Sequence, residues 1–288
     1  MKKIITDFLK HCKAFGKYSN NTIKNYNATY KQFINFAGNI TEVTEQHIES
    51  FFTYLNEKNN GLAPSTINLK LAALDNLFDF AVRRNYFEDN PVEYIERKKV
   101  PHKEDIPLTV NEIDIMINNC NNTRNPIRNK AIIALLFASG GRISEIVKLD
   151  KSNINIADDC VLIHIQQAKE YKDRMVYIHP KYFNFLNEYT TTRCDEKKAL
   201  FISERGNRIS ADTIRKMLKS VSDGIDKPVN PHAFRKAYAS FLINQDVPMH
   251  IISDNLGHIN EKVTDKNYAF YDHRKKITQT SAAFSKIN

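Results

Sequence analysis

The segment NPHAFRKAYASFLIN, residues 230–244, carries an imidazole and a guanidinium three residues apart, His232 and Arg235. At about 100° per residue the two fall on one flank of a helix with Ala239. A separate apolar stripe is formed by Phe234, Ala237, Tyr238, Phe241 and Leu242. Such a flank is either a solvated edge or a paired donor site for an anion such as phosphate. A second unusual stretch is FASGGRISEIVKLD, in which Arg142 follows Gly140-Gly141 and Glu145 stands three residues on. Two glycines let backbone and ligand approach closely, and the i, i+3 spacing lets Glu145 hold the guanidinium. A third stretch, QAKEYKD with the arginine after it, gathers Lys169, Lys172 and Arg174 at the tip of an expected hairpin. Finally, His258 follows Gly257, and Tyr268 comes ten residues after that histidine.

Each of these has an ordinary explanation alone: a surface ion pair, a solvated turn, a cap, a core tyrosine. Taken together they suit a phosphoryl group. Arginine forks pair bidentately with phosphate oxygens. Two of them offset the charge gained at a five-coordinate phosphorus. Tyrosine forms a covalent ester once its proton is managed, and lysine or histidine can protonate a leaving oxygen. The sequence has no P-loop, no GxGxxG and no Asp/Glu cluster of metal-ligand type. Phosphoryl transfer through tyrosine, without metal or nucleotide cofactor, fits what is present.

The elements that must position these groups divide in two. Residues 1–97 read as a helical bundle of four or five helices. NTIKNYNATYKQFINFA, TEQHIESFFTYLNEK and APSTINLKLAALDNLFDFAVRRNY all carry helix-spaced apolar faces. Residues 98–106 read as a linker, within the second half of a 90–107 stretch that holds three prolines, and the basic run Arg97, Lys98 and Lys99 lies at its start. That run is a solvated face or a contact to a nucleic-acid strand. From residue 107 to 288 the pattern is α with a small β element. CVLIHIQ and RMVYIH are the expected strands, and helices are expected over TVNEIDIMINNC, NPIRNKAIIALLFASG, PKYFNFLNEY, SADTIRKMLKSV and PMHIISDNLG. The expected class is therefore mainly α with a small β element.

Composition narrows the partners. The net charge of +9 over 288 residues favours a polyanion, nucleic acid above all. No apolar run reaches the length of about 18 residues that spans a bilayer. Asp7 and Lys10 interrupt any signal-peptide core. The cysteines at 12, 120, 160 and 194 are scattered, which argues for a reducing cytoplasm and against a zinc site.

Read in order, these motifs resemble the tyrosine recombinase, or phage integrase, family across nearly the whole chain. ASGGRISEIVKL resembles that family's TGLRxSEL, AKEYKDRMVYI its hairpin GKGxKxRxVPL, and HAFRKAYASFL its HxLRHTFAT. LGH followed by a tyrosine completes the series. The resemblance implies a SAM-like core-binding bundle followed by a mixed α+β catalytic domain. It implies Arg142, Lys169, His232, Arg235, His258 and Tyr268 as catalytic residues and Glu145 as a supporting acid. Arg97, Lys98, Lys99, Lys172 and Arg174 are candidates for DNA contact. The layout is nearest to minimal two-domain Xer-like recombinases. The implied reaction is cleavage and rejoining of DNA through a 3′-phosphotyrosyl link, without metal or ATP. The implied partners are duplex DNA at a specific recombination site and three further copies of the chain, forming a homotetramer on two DNA sites; no membrane is implied.

Departures from the motifs leave alternatives open. Gly141 stands where the family has leucine, and Ala168 and Glu170 replace the glycines around Lys169, so Lys172 rivals Lys169 as proton donor. Tyr271 rivals Tyr268 as nucleophile. A type IB topoisomerase and a non-catalytic DNA-binding relative are the alternative functions.

Overall fold

The computed structural model describes residues 1–38, 42–101, 106–157, 160–166 and 173–257. The chain forms two compact units, Met1–Glu104 and Asp105–Asn288, and each has its own apolar core.

The first unit packs four helices: α1 (Lys2–Ala14), α2 (Asn20–Ala37), α3 (Glu45–Lys58) and α4 (Pro64–Arg83). Ser19 caps α2 by accepting a hydrogen bond from the Thr22 backbone N–H, and Pro64 occupies the first turn of α4. Aromatic rings fill the core. Phe33 meets Phe51 edge to face with ring centroids 5.2 Å apart. The buried Tyr30 hydroxyl donates to the Ala73 carbonyl at 2.9 Å. The segment after α4 is pinned back onto that helix. Asn90 donates to Asp75 at 3.0 Å and to Asp79 at 2.8 Å, while Arg97 pairs with Asp75 at 3.1 Å. The Asn68 side chain both accepts from the Lys98 backbone N–H and donates to the Lys98 carbonyl.

The second unit is built around α6 (Pro126–Ser139). Every residue from Ala131 to Ser139 is buried. A helix that is apolar all round has no solvent face, so other elements must cover it. It is covered by α5 (Val110–Asn119), α8 (Pro180–Thr191), α10 (Pro231–Asn244) and strand β3 (Arg174–Ile178). Among the described residues the other α-helices of this unit are α7 (Ile143–Lys148), α9 (Ala211–Ser220) and α11 (Met249–Leu256). The antiparallel sheet has the order β1 (Ile154–Ala157), β2 (Cys160–Ile165), β3. Its register sets Ile163 opposite both Ile154 and Val176. The sequence reading expected two strands; β1 is the third, a four-residue edge strand with Asn155 and Ile156 exposed. Among the described residues no helix is long and apolar enough to cross a membrane.

Helix α10 departs from the expected division of its faces. Arg235 and Ala239 are buried with Phe234, Ala237, Tyr238, Ser240 and Ile243, whereas Phe241 is exposed. The cause is tertiary. The helix lies against both α6 and α11, so more than one stripe of its surface leaves water.

Candidate active site

Five segments of the second unit converge: the turn after α6, the start of α7, the first residue of β3, helix α10 through Arg235, and the C-terminal end of α11. α6 ends at Gly140, whose φ of +57° is the left-handed conformation that glycine adopts without strain. A Cβ built at Gly140 would lie 2.5 Å from Tyr238 Cδ1, so the turn seats directly on that ring. Arg142 then caps α7.

Glu145 holds this turn together. Its Oε2 accepts from the Arg142 backbone N–H at 2.8 Å, and its Oε1 accepts from Arg142 Nη1 at 2.9 Å. From the other side Arg174 donates through Nη2 to Oε2 at 2.8 Å and through Nη1 to Oε1 at 3.4 Å. A carboxylate offers about four lone-pair positions, and here all four face donors. Burial alone would raise the Glu145 carboxyl, but the hydrogen bonds from Arg174 and Arg142 outweigh it and hold the group below its usual range. The Arg142 side chain retains 32% exposure, against 8% for that of Glu145, so it is the member of the pair that meets solvent.

Two guanidiniums close the C-terminal end of α11. Arg235 donates from Nη1 to the Gly140 carbonyl at 2.9 Å and from Nη2 to the Leu256 carbonyl at 2.5 Å. Arg174 donates from Nε to the Asn255 carbonyl at 2.7 Å. The last carbonyls of a helix lack intrahelical partners and carry partial negative charge, so both contacts satisfy groups that need donors. Gly257, at φ +63°, ends the helix in the left-handed conformation, and His258 is the next residue in sequence. The Tyr238 phenol, beside the Asn255 side chain, is pushed up to about 12 by its burial despite that hydrogen bond. It therefore stays protonated at neutral pH.

Arg142, Glu145 and Arg235 thus come together through the Gly140 turn. His232 is exposed on the first turn of α10, where its backbone N–H donates to the Asn230 cap at 2.9 Å. Arg174 stands differently from the expectation of an open DNA contact: its side chain is only 7% exposed and three of its nitrogens face protein acceptors. The reason is strand alternation. Arg174 shares the inward face of β3 with Val176 and Ile178, while Met175 and Tyr177 point out. That period-two pattern was the available signal for its role, and the charge obscured it. Arg97, Lys98 and Lys99 are exposed in the first unit, with Arg97 paired to Asp75. Lys169, Lys172, His258, Tyr268 and Tyr271 lie outside the described residues.

Residues 107–274 match the phage integrase family, and residues 4–88 match the phage integrase N-terminal SAM-like domain. The chain belongs to the phage integrase family. It is a tyrosine site-specific recombinase, with the SAM-like and integrase-type catalytic domains of that family. A tyrosine recombinase of Thermosipho africanus is 28% identical over 271 residues, covering 92% of this chain and 94% of that protein. Tyrosine recombinase XerD of Halalkalibacterium halodurans is 27% identical, covering 90% of each chain. Among solved structures, the fold resembles the XerH site-specific recombinase bound to a palindromic difH substrate. There the TM-score is 0.72 at 17% identity, over 96% of this chain and 84% of that one. It also resembles the Tn1549 transposon integrase in complex with circular intermediate DNA, with a TM-score of 0.75 at 17% identity over 96% and 99% of the two chains.

Proposed function

We propose that this recombinase cleaves and rejoins duplex DNA at a specific site through a 3′-phosphotyrosyl intermediate, with Tyr268 as the nucleophile. The observation that carries the reading is the joining of Arg142 and Arg235 through one turn: Arg235 donates to the Gly140 carbonyl, and Arg142 leaves that turn two residues later. Two guanidiniums that meet at one turn suit a single phosphodiester. Arg142, Arg235, His232 and His258 bind and polarise the scissile phosphate. The Tyr268 oxygen attacks phosphorus as its proton passes to a neighbouring base, a P–O bond forms, and the bond to the 5′ oxygen breaks. Lys169, or Lys172 in its place, gives the leaving oxygen its proton. The freed 5′-hydroxyl of a partner duplex then attacks the phosphotyrosine, and the tyrosine oxygen leaves. One phosphodiester is exchanged for another at each step, so no ATP is required, and the two guanidiniums supply the charge that a metal would otherwise bring.

The domain division proposed is 1–97 for core binding, 98–106 for the linker and 107–288 for catalysis, with a homotetramer on two DNA sites in the cytoplasm. By the descriptions of their structures, XerH is bound to a palindromic difH substrate and the Tn1549 integrase is in complex with circular intermediate DNA. The same class of partner is proposed here. Trapping on nicked suicide duplexes in EDTA tests the reading. A covalent adduct in the unmodified chain that vanishes in Tyr268→Phe supports it. An adduct lost only in Tyr271→Phe moves the nucleophile, and tight DNA binding with no adduct favours a non-catalytic relative. An adduct that needs a divalent cation overturns the metal-free mechanism.

A further inference from the structure

The Arg174–Glu145 pair has no evident use as a source of stability. Both side chains are under a tenth exposed. A buried ion pair of this kind is commonly neutral or worse than an apolar replacement, whereas removing one partner alone is strongly destabilising. What the pair does provide is direction. The Arg174 fork grips the Glu145 carboxylate on one side, and its Nε reaches the Asn255 carbonyl on the other. Glu145 in turn fixes Arg142 by backbone and side chain. Arg235 spans the same two segments one layer over, from the Gly140 carbonyl to the Leu256 carbonyl. The turn between α6 and α7 and the end of α11 are therefore joined twice, through two guanidiniums.

We propose that Arg174 is a positioning residue that sets the Arg142 guanidinium and the end of α11 in one frame while touching no DNA itself. This rests on the reading of Arg142 as a phosphate-binding group. A lysine cannot replace it, because one ammonium lacks the planar fork that meets a carboxylate bidentately while a third N–H points elsewhere. A misplacement of Arg142 by about 1 Å is enough to slow a positioned reaction by roughly 10²-fold.

The test uses the full chain carrying Arg174→Lys, which keeps the charge and so folds where Arg174→Met can fail. Three quantities are compared with the unmodified protein: affinity for a site-bearing duplex, single-turnover adduct formation on a suicide duplex, and backbone amide hydrogen exchange. The expected result is adduct formation slowed about 10–100-fold, with duplex affinity and its salt slope unchanged. Exchange should quicken at both 143–148 and 249–257 and stay unchanged in α1–α4. Combined with Glu145→Gln, the loss of rate should be far less than the product of the two single losses. Adduct formation at the unmodified rate overturns the proposal. So does weakened duplex affinity with a salt slope reduced by about 1 and unaltered exchange, since that is the mark of a phosphate contact. Where the unmodified chain yields no adduct, it is the recombinase mechanism that fails. Exchange then decides alone: opening of both segments upholds the positioning role of Arg174, and opening of neither removes it.

Discussion

Arg235 shows how much one side chain is asked to do. Its two contacts lie in different directions, on the Gly140 and Leu256 carbonyls. Arg235→Lys leaves at least one of these buried acceptors without its donor, at a cost of about 1–3 kcal/mol. On the proposed role of Arg235 at the scissile phosphate, adduct formation should fall by roughly 10²-fold or more, since a lysine lacks the planar donor fork. Melting and single-turnover cleavage check the two parts separately. Glu145 gives a pH signature. Its carboxyl is held below the usual range in the folded chain, so its contribution to stability is full above the ordinary carboxylate pKa of about 4.3. That contribution is lost as pH falls through the lower folded value. Glu145→Gln should remove this part of the acid limb in urea melts. At neutral pH the same variant should be less stable, because Arg174 then keeps its charge without its carboxylate.

At the scale of elements, the turn between α6 and α7 is the sensitive joint. Gly140→Ala imposes a left-handed conformation on an L residue and drives a methyl into the Tyr238 ring. A loss of about 2–4 kcal/mol is expected from melting. Asn230→Ala removes the cap that accepts from the His232 and Ala233 N–H groups, and about 1 kcal/mol should go with it. Much of this was legible beforehand. The cap at Asn230, the proline at 231 and the break at Gly140-Gly141 all announce themselves by residue type. So does the Arg142–Glu145 pairing, by its spacing. What helix periodicity could not give was the inward turn of Arg235, and what strand alternation implied for Arg174 was obscured by its charge. Their burial depends on carbonyls at Gly140, Asn255 and Leu256, up to 95 residues away in sequence, and a backbone acceptor has no letter of its own. The edge strand β1 was hidden for a related reason: INIA is short and half exposed, so its pairing with β2 is what defines it.

For the whole molecule, a net charge of +9 predicts strong dependence of DNA binding on salt. Affinity should drop on the order of 10³-fold between about 50 and 200 mM salt, as counterions released from the duplex compete again. Fluorescence anisotropy across that range measures the slope. Two separate cores predict a second property. Each unit buries its own aromatic or aliphatic cluster, so fragments 1–97 and 107–288 produced separately should each melt cooperatively.

The complete burial of α6 has a consequence for synthesis. Residues 131–137 are an uninterrupted apolar run, and one of the helices that covers them, α10, begins at Pro231. At ribosomal speeds of about 5–20 residues per second, that cover emerges several seconds or more after α6 itself. During that interval the nascent chain displays a strip with the composition of an aggregating segment, guarded only by Lys130 before it and Arg142 after it. A chain halted ahead of Pro231 should therefore be sticky, a client for a chaperone rather than a folded half.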